Sequence, residues 1–277
     1  MEVLTTTEME RADRLTITAG TPGFALMMSA GQAVAEAAMD LVEEGPIMVV
    51  AGRGNNGGDG FVAAAELAAR GREVSVILLC ERDSLQGDAA LAARGWKYPV
   101  LPFNPQAIGK PALIIDALFG AGLNRPVKGD PLEMIEAVNA NGAPVLAIDL
   151  PSGINGTSGA VMGAAINAVE TVTFFRRKPA HLLMPGRSTA AVSASPISAS
   201  MRRCSRRSGR IRSRTCRKAG KNPSPCLTST ATNMPVVTRS CCQGRWRRPA
   251  QRGSRPAAHC GQGLAWSRWP RRARRSR

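Results

Sequence analysis

Between Gly45 and Phe175, short runs of apolar and often β-branched residues alternate with longer stretches whose apolar positions recur three and four residues apart. The runs Ile47–Ala51, Val74–Cys80, Tyr98–Leu101, Leu113–Leu118, Val145–Leu150 and Val169–Phe175 read as strands. The spans Gly57–Arg70, Ser84–Arg94 and Pro131–Asn141 read as helices between most of them. Strands that are apolar throughout, rather than at every second position, are covered on both faces, as in a parallel sheet. Two helices precede them, Thr5–Ala19 and Gly23–Glu43, separated by Gly20, Pro22 and Gly23. The second carries Leu26, Met27, Ala30, Val34, Ala37, Ala38 and Leu41 at helical spacing. This alternation predicts an α/β fold, a Rossmann-like three-layer αβα sandwich with a mostly parallel sheet and helices on both faces. Ligands of such sheets bind beyond the carboxyl ends of the strands.

Three of those ends carry polar groups. The first is Val49–Gly60, V-V-A-G-R-G-N-N-G-G-D-G, a glycine loop read as lying between a strand and a helix. Glycines there let the main chain approach a pyrophosphate, and the free N–H groups at a helix start favour an anion. Gly52-x-Gly54-x-x-Gly57 fits the dinucleotide fingerprint, a weak signal by itself, and Asn55, Asn56 and Asp59 make it more specific. The second end is Ile114–Pro126, I-I-D-A-L-F-G-A-G-L-N-R-P, and the third is Ala147–Gly153, A-I-D-L-P-S-G. Asp116 and Asp149 each close an apolar run. Either alone reads equally well as a turn or capping residue. A buried charge needs a cation or several donors, however, so the two beside a glycine loop point to a ligand site.

Charge divides the chain at Arg187. Residues 1–187 hold 15 Lys and Arg with all 20 of the acids, whereas the remaining 22 Lys and Arg follow in residues 188–277, which contain no Asp or Glu. Two readings compete for that tail. Clustered arginines neutralise phosphates, so a genuine tail would bind nucleic acid. Arg, Ser, Pro, Cys and Trp in excess without acids is also what GC-rich coding DNA yields out of frame. Read one nucleotide earlier with permitted codons, Thr232–Gly244 becomes H-K-Y-A-R-G-H-A-V-V-L-S-G, and Ser188–Arg203 regains a carboxylate within V-A-D-I-G-I. A shift near Ser188 is therefore the favoured reading, with 188–277 expected to be disordered and no nucleic-acid partner unless the tail is genuine. It also implies that the sheet lacks its last strand and ends on an unpaired edge. The tail cysteines Cys204, Cys216, Cys226, Cys241, Cys242 and Cys260 form no CxxC pair, and His181 and His259 are too few for a zinc site. The start, M-E-V-L-T-T-T-E, is no signal peptide, and no apolar run reaches membrane-spanning length. A cytoplasmic protein without a membrane partner is expected.

The motifs G-N-N-G-G-D-G, D-A-L-F-G-x-G-L and D-x-P-S-G together resemble the YjeF N-terminal domain family, the NAD(P)H-hydrate epimerases, over residues 1–187. The shifted H-K-Y-A-R-G-H resembles the opening of the ADP-dependent dehydratase domain that follows the epimerase in bifunctional bacterial repair enzymes, so the resemblance implies that this half is lost. It further implies an isomerase that interconverts the R and S forms of hydrated NADH or NADPH. Asp149 would be the catalytic acid/base. Asn55, Asn56, Gly57, Gly58 and Asp59, with Gly120, Ala121, Gly122, Leu123, Asn124, Arg125, Pro126 and Asp149, would hold the dinucleotide. The resemblance also implies a potassium ion on Asn56, Asp116 and Ser152, oxygen donors of the kind a hard cation prefers. Many relatives have M-E-N-A-G where this chain has Met27-Met28-Ser29-Ala30-Gly31. That helix is left with packing and a possible homodimer contact, and Met27 and Met28 are read as core. Two other functions stay open. One is an NAD-dependent Rossmann oxidoreductase with Glu81 at the ribose position; the other is a non-catalytic dinucleotide-binding module with a basic nucleic-acid-binding tail.

Overall fold

A computed structural model describes residues 2–188, together with the backbone strands at 190–195 and 212–213. In chain order the elements are β1 (Glu2–Val3), α1 (Thr6–Thr18), α2 (Gly23–Leu41), β2 (Ile47–Ala51), α3 (Asn55–Ala69), β3 (Val74–Leu78), α4 (Gly87–Gly95), β4 (Val100–Leu101), β5 (Leu113–Ala117), α5 (Asp130–Asn141), β6 (Val145–Ile148), β7 (Ala168–Phe174), β8 (Ala190–Ser195) and β9 (Arg212–Ser213). Seven strands form one sheet in the order β4-β3-β2-β5-β6-β7-β8. Every neighbouring pair in it is parallel. The chain works outward from β2 to β4 and then returns to place β5 on the other side of β2. That reversal opens a crevice beyond the carboxyl ends of β2 and β5, where sheets of this kind receive ligands.

Side-chain alternation builds the three layers. Ile47, Val49 and Ala51 of β2 pack with Val34, Phe61, Leu67 and Ala92 from α2, α3 and α4. Met48 and Val50 face the other way and pack with Met134, Ile135 and Val138 of α5. Leu113 and Ile115 join the first core and Ile114 the second, all three fully buried. Each such side chain contributes about 1.5–3 kcal/mol by leaving water. The close contact of α2 with α3 explains Gly31, since a Cβ there would lie 2.4 Å from Val62 Cβ.

Beyond shifts of one or two residues at element ends, three differences from the sequence expectation bear on the site and the sheet edge. First, α3 begins at Asn55, so Asn55–Asp59 are its opening turns and not a loop before it. The turn closes against the end of β2: a Cβ on Gly57 would sit 1.9 Å from the Gly52 carbonyl oxygen, a distance only glycine avoids. Second, α4 starts at Gly87; Ser84 instead ends a short 3-10 turn from Arg82, where its hydroxyl donates to the Glu81 carbonyl at 2.6 Å. Third, the sheet does not end on β7, because β8 pairs with it in parallel. A ladder uses main-chain N–H and C=O groups alone, and A-A-V-S-A-S offers them without a proline until Pro196. The expected loss of a final strand is thus corrected. Apart from Ser188 and the strands at 190–195 and 212–213, the tail expected to be out of frame and disordered lies outside the described residues, as do its cysteines. Chain contacts cluster into two units, 1–242 and 243–277, and every described residue lies in the first.

Candidate active site at the strand ends

A cleft of about 650 Å³ lies at this crevice. Its walls come from α1 and α2, the first turns of α3 and residues 118–125 after β5; Asp149 and Lys178 also line it. Asp149 follows β6 with φ +66°, a left-handed conformation rarely held by a residue other than glycine. Two main-chain bonds fix it there. Its N–H donates to the Val172 carbonyl at 2.7 Å, and its own carbonyl meets His181 Nε2 at 2.9 Å. Its carboxylate is then surrounded by donors. Oδ2 accepts from the Ala121 N–H at 3.0 Å, and Oδ1 accepts from Thr173 Oγ1 at 3.2 Å and pairs with Lys178 Nζ. Lys178 also donates to Thr173 at 3.0 Å, and both are buried.

Electrostatics follows from these contacts. Burial pushes the Asp149 carboxyl upward, but the charge and hydrogen bond of Lys178, with the Ala121 N–H, outweigh it and hold the group below its ordinary 3.8. Asp149 is therefore ionised at neutral pH. Burial, helped by the Lys178 charge, lowers His181 to about 4, so its ring is neutral. Its Nδ1 accepts the Lys178 N–H at 2.9 Å, which leaves the ring proton on Nε2 to donate to Asp149. Two other acids line the cleft with raised values. Asp13 on α1 stands at about 6 through burial, opposed by the Lys178 charge, and burial holds Asp59 well above the carboxylate range.

Asp116, in β5, is 2% exposed and is not part of the cleft lining. It accepts from Ser152 Oγ at 2.6 Å, Ser152 N at 2.7 Å and Leu118 N at 3.2 Å. Burial still lifts it to about 6 against these bonds. Ser152 Oγ accepts in turn from Phe119 N at 2.8 Å, tying the pair to the 118–125 wall. Asn56 lines the cleft, and its buried Nδ2 has no hydrogen-bond partner. A Cβ on Gly120 would lie 3.1 Å from Asn56 Oδ1 and 3.3 Å from Asp149 Oδ2, so a glycine lets three segments converge.

Of the residues anticipated from sequence, Asn55, Asn56, Asp59, Gly120–Arg125 and Asp149 line the cleft, whereas Gly57, Gly58, Pro126, Asp116 and Ser152 do not. Gly57 serves the strand–helix junction, and Gly58 faces Met27 Sδ at 2.7 Å from its would-be Cβ. Met27 is both core and cleft wall. Glu81 lies outside the cleft, at a separate hollow by the ends of β3 and β4. Sequence reasoning missed Lys178, Thr173, His181 and Asp13. The available signal was the basic run Arg176-Arg177-Lys178, placed directly after an apolar strand at the same sheet edge. Among the described residues no helix is long and apolar enough to cross a membrane, and no cluster of three or more His, Cys, Asp or Glu is arranged to hold a metal.

A parallel sheet with a glycine-assisted helix start and an ionised acid at its switch point defines an α/β domain whose crevice lies where sheets of this kind receive ligands. The chain belongs to the family described as YjeF-related protein N-terminus, whose pattern it matches over residues 23–180. It is 39% identical to the NAD(P)H-hydrate epimerase of Rhodopirellula baltica over 160 residues, 55% of this chain and 66% of that one. It is 40% identical to the NAD(P)H-hydrate epimerase of Limosilactobacillus fermentum over 181 residues, 64% of this chain and 87% of that one. A bifunctional NAD(P)H-hydrate repair enzyme of Coxiella burnetii is 41% identical over 175 residues, 62% of this chain and 36% of that one. The crystal structure of the yeast protein YNL200c shares the fold, with a TM-score of 0.62, 22% identity, and coverage of 76% of this chain and 95% of that one.

Proposed function

We propose that this chain is an isomerase that interconverts the R and S forms of hydrated NADH and NADPH in the cleft, with Asp149 as the acid/base. The observation that carries the reading is the Asp149–Lys178 pair at the switch point, in a chain whose relatives are named for that reaction. The hydrated ring carries a hydroxyl on C6, next to N1. Expulsion of that hydroxyl by the N1 lone pair leaves a planar iminium, and water returns to either face. The step needs a proton for the leaving hydroxyl and an acceptor for the proton of the incoming water. An aspartate held below its usual range starts ionised and suits the second task. Lys178, an ammonium bonded to the same carboxylate, suits the first. After addition of water, Asp149 is protonated and Lys178 is neutral; one proton passing back between them resets the pair.

Asn55, Asn56 and residues 120–125 would hold the dinucleotide, with N–H groups at the start of α3 facing its phosphates. A potassium ion on Asn56, Asp116 and Ser152 accords with their chemistry: all three offer oxygen, Asp116 is a buried acid without a cationic neighbour among its bonded partners, and the Asn56 amide nitrogen is orphaned. An amide whose nitrogen has no partner can be turned to present its oxygen. Bound there, the ion would supply the positive charge that keeps Asp116 ionised. We read residues 1–187 as the epimerase domain of a nicotinamide-nucleotide repair enzyme, acting on the dissolved nucleotides of the cytoplasm. The match to 36% of the bifunctional relative accords with an epimerase domain in this chain.

The test is to give the full chain the purified R form of hydrated NADPH and follow the S form by chromatography. Appearance of the S form well above the uncatalysed rate is expected. An oxidoreductase would leave the epimer ratio at background and instead, when supplied with intact NADPH, transfer hydride to an added carbonyl substrate.

A further inference from the structure

We infer that His181 is a positioning residue: its neutral imidazole fastens the main chain of Asp149 to that of Lys178, so the acid/base pair is joined through the backbone as well as through its side chains. The inference rests on the epimerase reading for its kinetic consequence, but not for its geometry. His181 is 3% exposed and does not line the cleft, so its role is not substrate contact. It closes the short 3-10 turn Pro179–His181, directly after Lys178. One ring nitrogen accepts the Lys178 N–H at 2.9 Å and the other meets the Asp149 carbonyl at 2.9 Å.

The choice of side chain follows from that geometry. One partner is a donor and the other an acceptor, and a neutral imidazole presents one acceptor and one donor at opposite ends of a rigid ring. An imidazolium has two donors and would leave the buried Lys178 N–H without an acceptor. The charged groups around the ring are Lys178, Asp149 and Arg177, and burial keeps the ring neutral among them. Asp149 has the greatest need of such a fastening, because it holds φ +66° without being glycine. Freed from His181, its backbone can relax toward the β region, which carries the carboxylate away from Lys178 Nζ.

The conservative amides separate the two bonds. His181→Gln retains a donor toward the Asp149 carbonyl, whereas His181→Asn retains an acceptor for the Lys178 N–H. Both are prepared in the full chain, and the Asp149 carboxyl is titrated by carbon-13 NMR beside measurement of kcat and KM. In His181→Gln the Lys178 N–H loses its acceptor while the Asp149 carbonyl keeps its donor, so Asp149 is expected to titrate only slightly higher than in the parent protein, with kcat lower by about threefold. In His181→Asn, Asp149 is expected to titrate higher, and kcat to fall about 10- to 100-fold with KM unchanged. Loss of activity in both variants with the Asp149 titration unmoved would overturn the inference, since a merely structural histidine would behave in that way. Should His181→Asn fail to fold, nitrogen-15 NMR of the parent imidazole decides: a ring protonated on Nε2 alone is expected, and a proton on Nδ1 at neutral pH would contradict the fastening. A parent protein without epimerase activity removes the functional reading, while the titration and the ring tautomer still test His181.

Discussion

Asp116 lies in β5, in register with Ala147, and Asp149 lies just past the end of the neighbouring β6; both sit where an apolar run meets the ligand edge, and their environments push them in opposite directions. Asp116 takes three hydrogen bonds, all from neutral donors, and burial still raises it to about 6. Asp149 also takes three, from Lys178, Thr173 and Ala121, and stands below the ordinary carboxylate range. The number of bonds therefore does not set the charge state; the presence of a positive partner does. In a poorly solvated site neutral dipoles offset only part of the cost of a charge, whereas an ammonium in contact reverses it. Two aspartates that look alike in sequence thereby acquire different tasks. Under the proposed function Asp149 would accept a proton and Asp116 a cation.

Removing the positive partner breaks the contrast most severely. In Lys178→Met, Asp149 becomes a buried carboxylate without a counter-charge, and stability at neutral pH is expected to fall by about 3–5 kcal/mol in denaturant unfolding. Turnover falls with it, by about 100-fold, because the proton donor is gone. The pH dependence changes sign as well. A depressed carboxyl contributes stability that is present above its unfolded value near 3.8 and is lost as pH falls through the lower folded value. In the variant the carboxyl is raised, so acidification toward its unfolded value should stabilise the protein.

Supplying a positive partner to Asp116 sharpens the contrast from the other side, with a smaller effect. A carboxyl raised from 3.8 to about 6 binds its proton more tightly in the folded state, so folding loses stability as pH rises across that interval, by about 3 kcal/mol. A bound potassium ion would offset that loss. Melting in potassium chloride, compared with tetramethylammonium chloride, is expected to show stabilisation of a few degrees near pH 7.5 and little near pH 5. Asp116→Asn should abolish both the ion effect and the slope. Identical melts in the two salts at both pH values would remove the ion from the account.

Much of the fold was legible because its central strands are buried on both faces and announce themselves as unbroken apolar runs; Leu113–Ala117 and Val145–Ile148 are examples. The start of α3 was not, since Asn-Asn-Gly-Gly-Asp-Gly is a poor helix former and its helicity comes from the tertiary approach of Gly57 to Gly52. The eighth strand was missed for the opposite reason: its pairing uses the main chain, which carries no sequence pattern. In the site, the acids at strand ends could be found because a charge interrupting an apolar run is conspicuous. Lys178 could not be matched to Asp149 from sequence, because their contact requires β7 beside β6 and a turn after each. His181 offered even less. A lone histidine suggests too few metal ligands, while its actual partners are a carbonyl and an N–H presented by a left-handed aspartate and a 3-10 turn.

In the proposed reaction Asp149 takes the proton of the incoming water while Lys178 protonates the leaving hydroxyl, so Asp149 is indispensable to turnover. The most direct measurement is the rate at which the full chain converts the R form of hydrated NADPH into the S form, compared between the parent protein and Asp149→Asn. The parent is expected to accelerate conversion, and the variant to retain its fold by circular dichroism while losing about 100-fold or more in kcat. Equal turnover in the two proteins would contradict that role, and the proton would then have to be sought at Asp59 or Asp13.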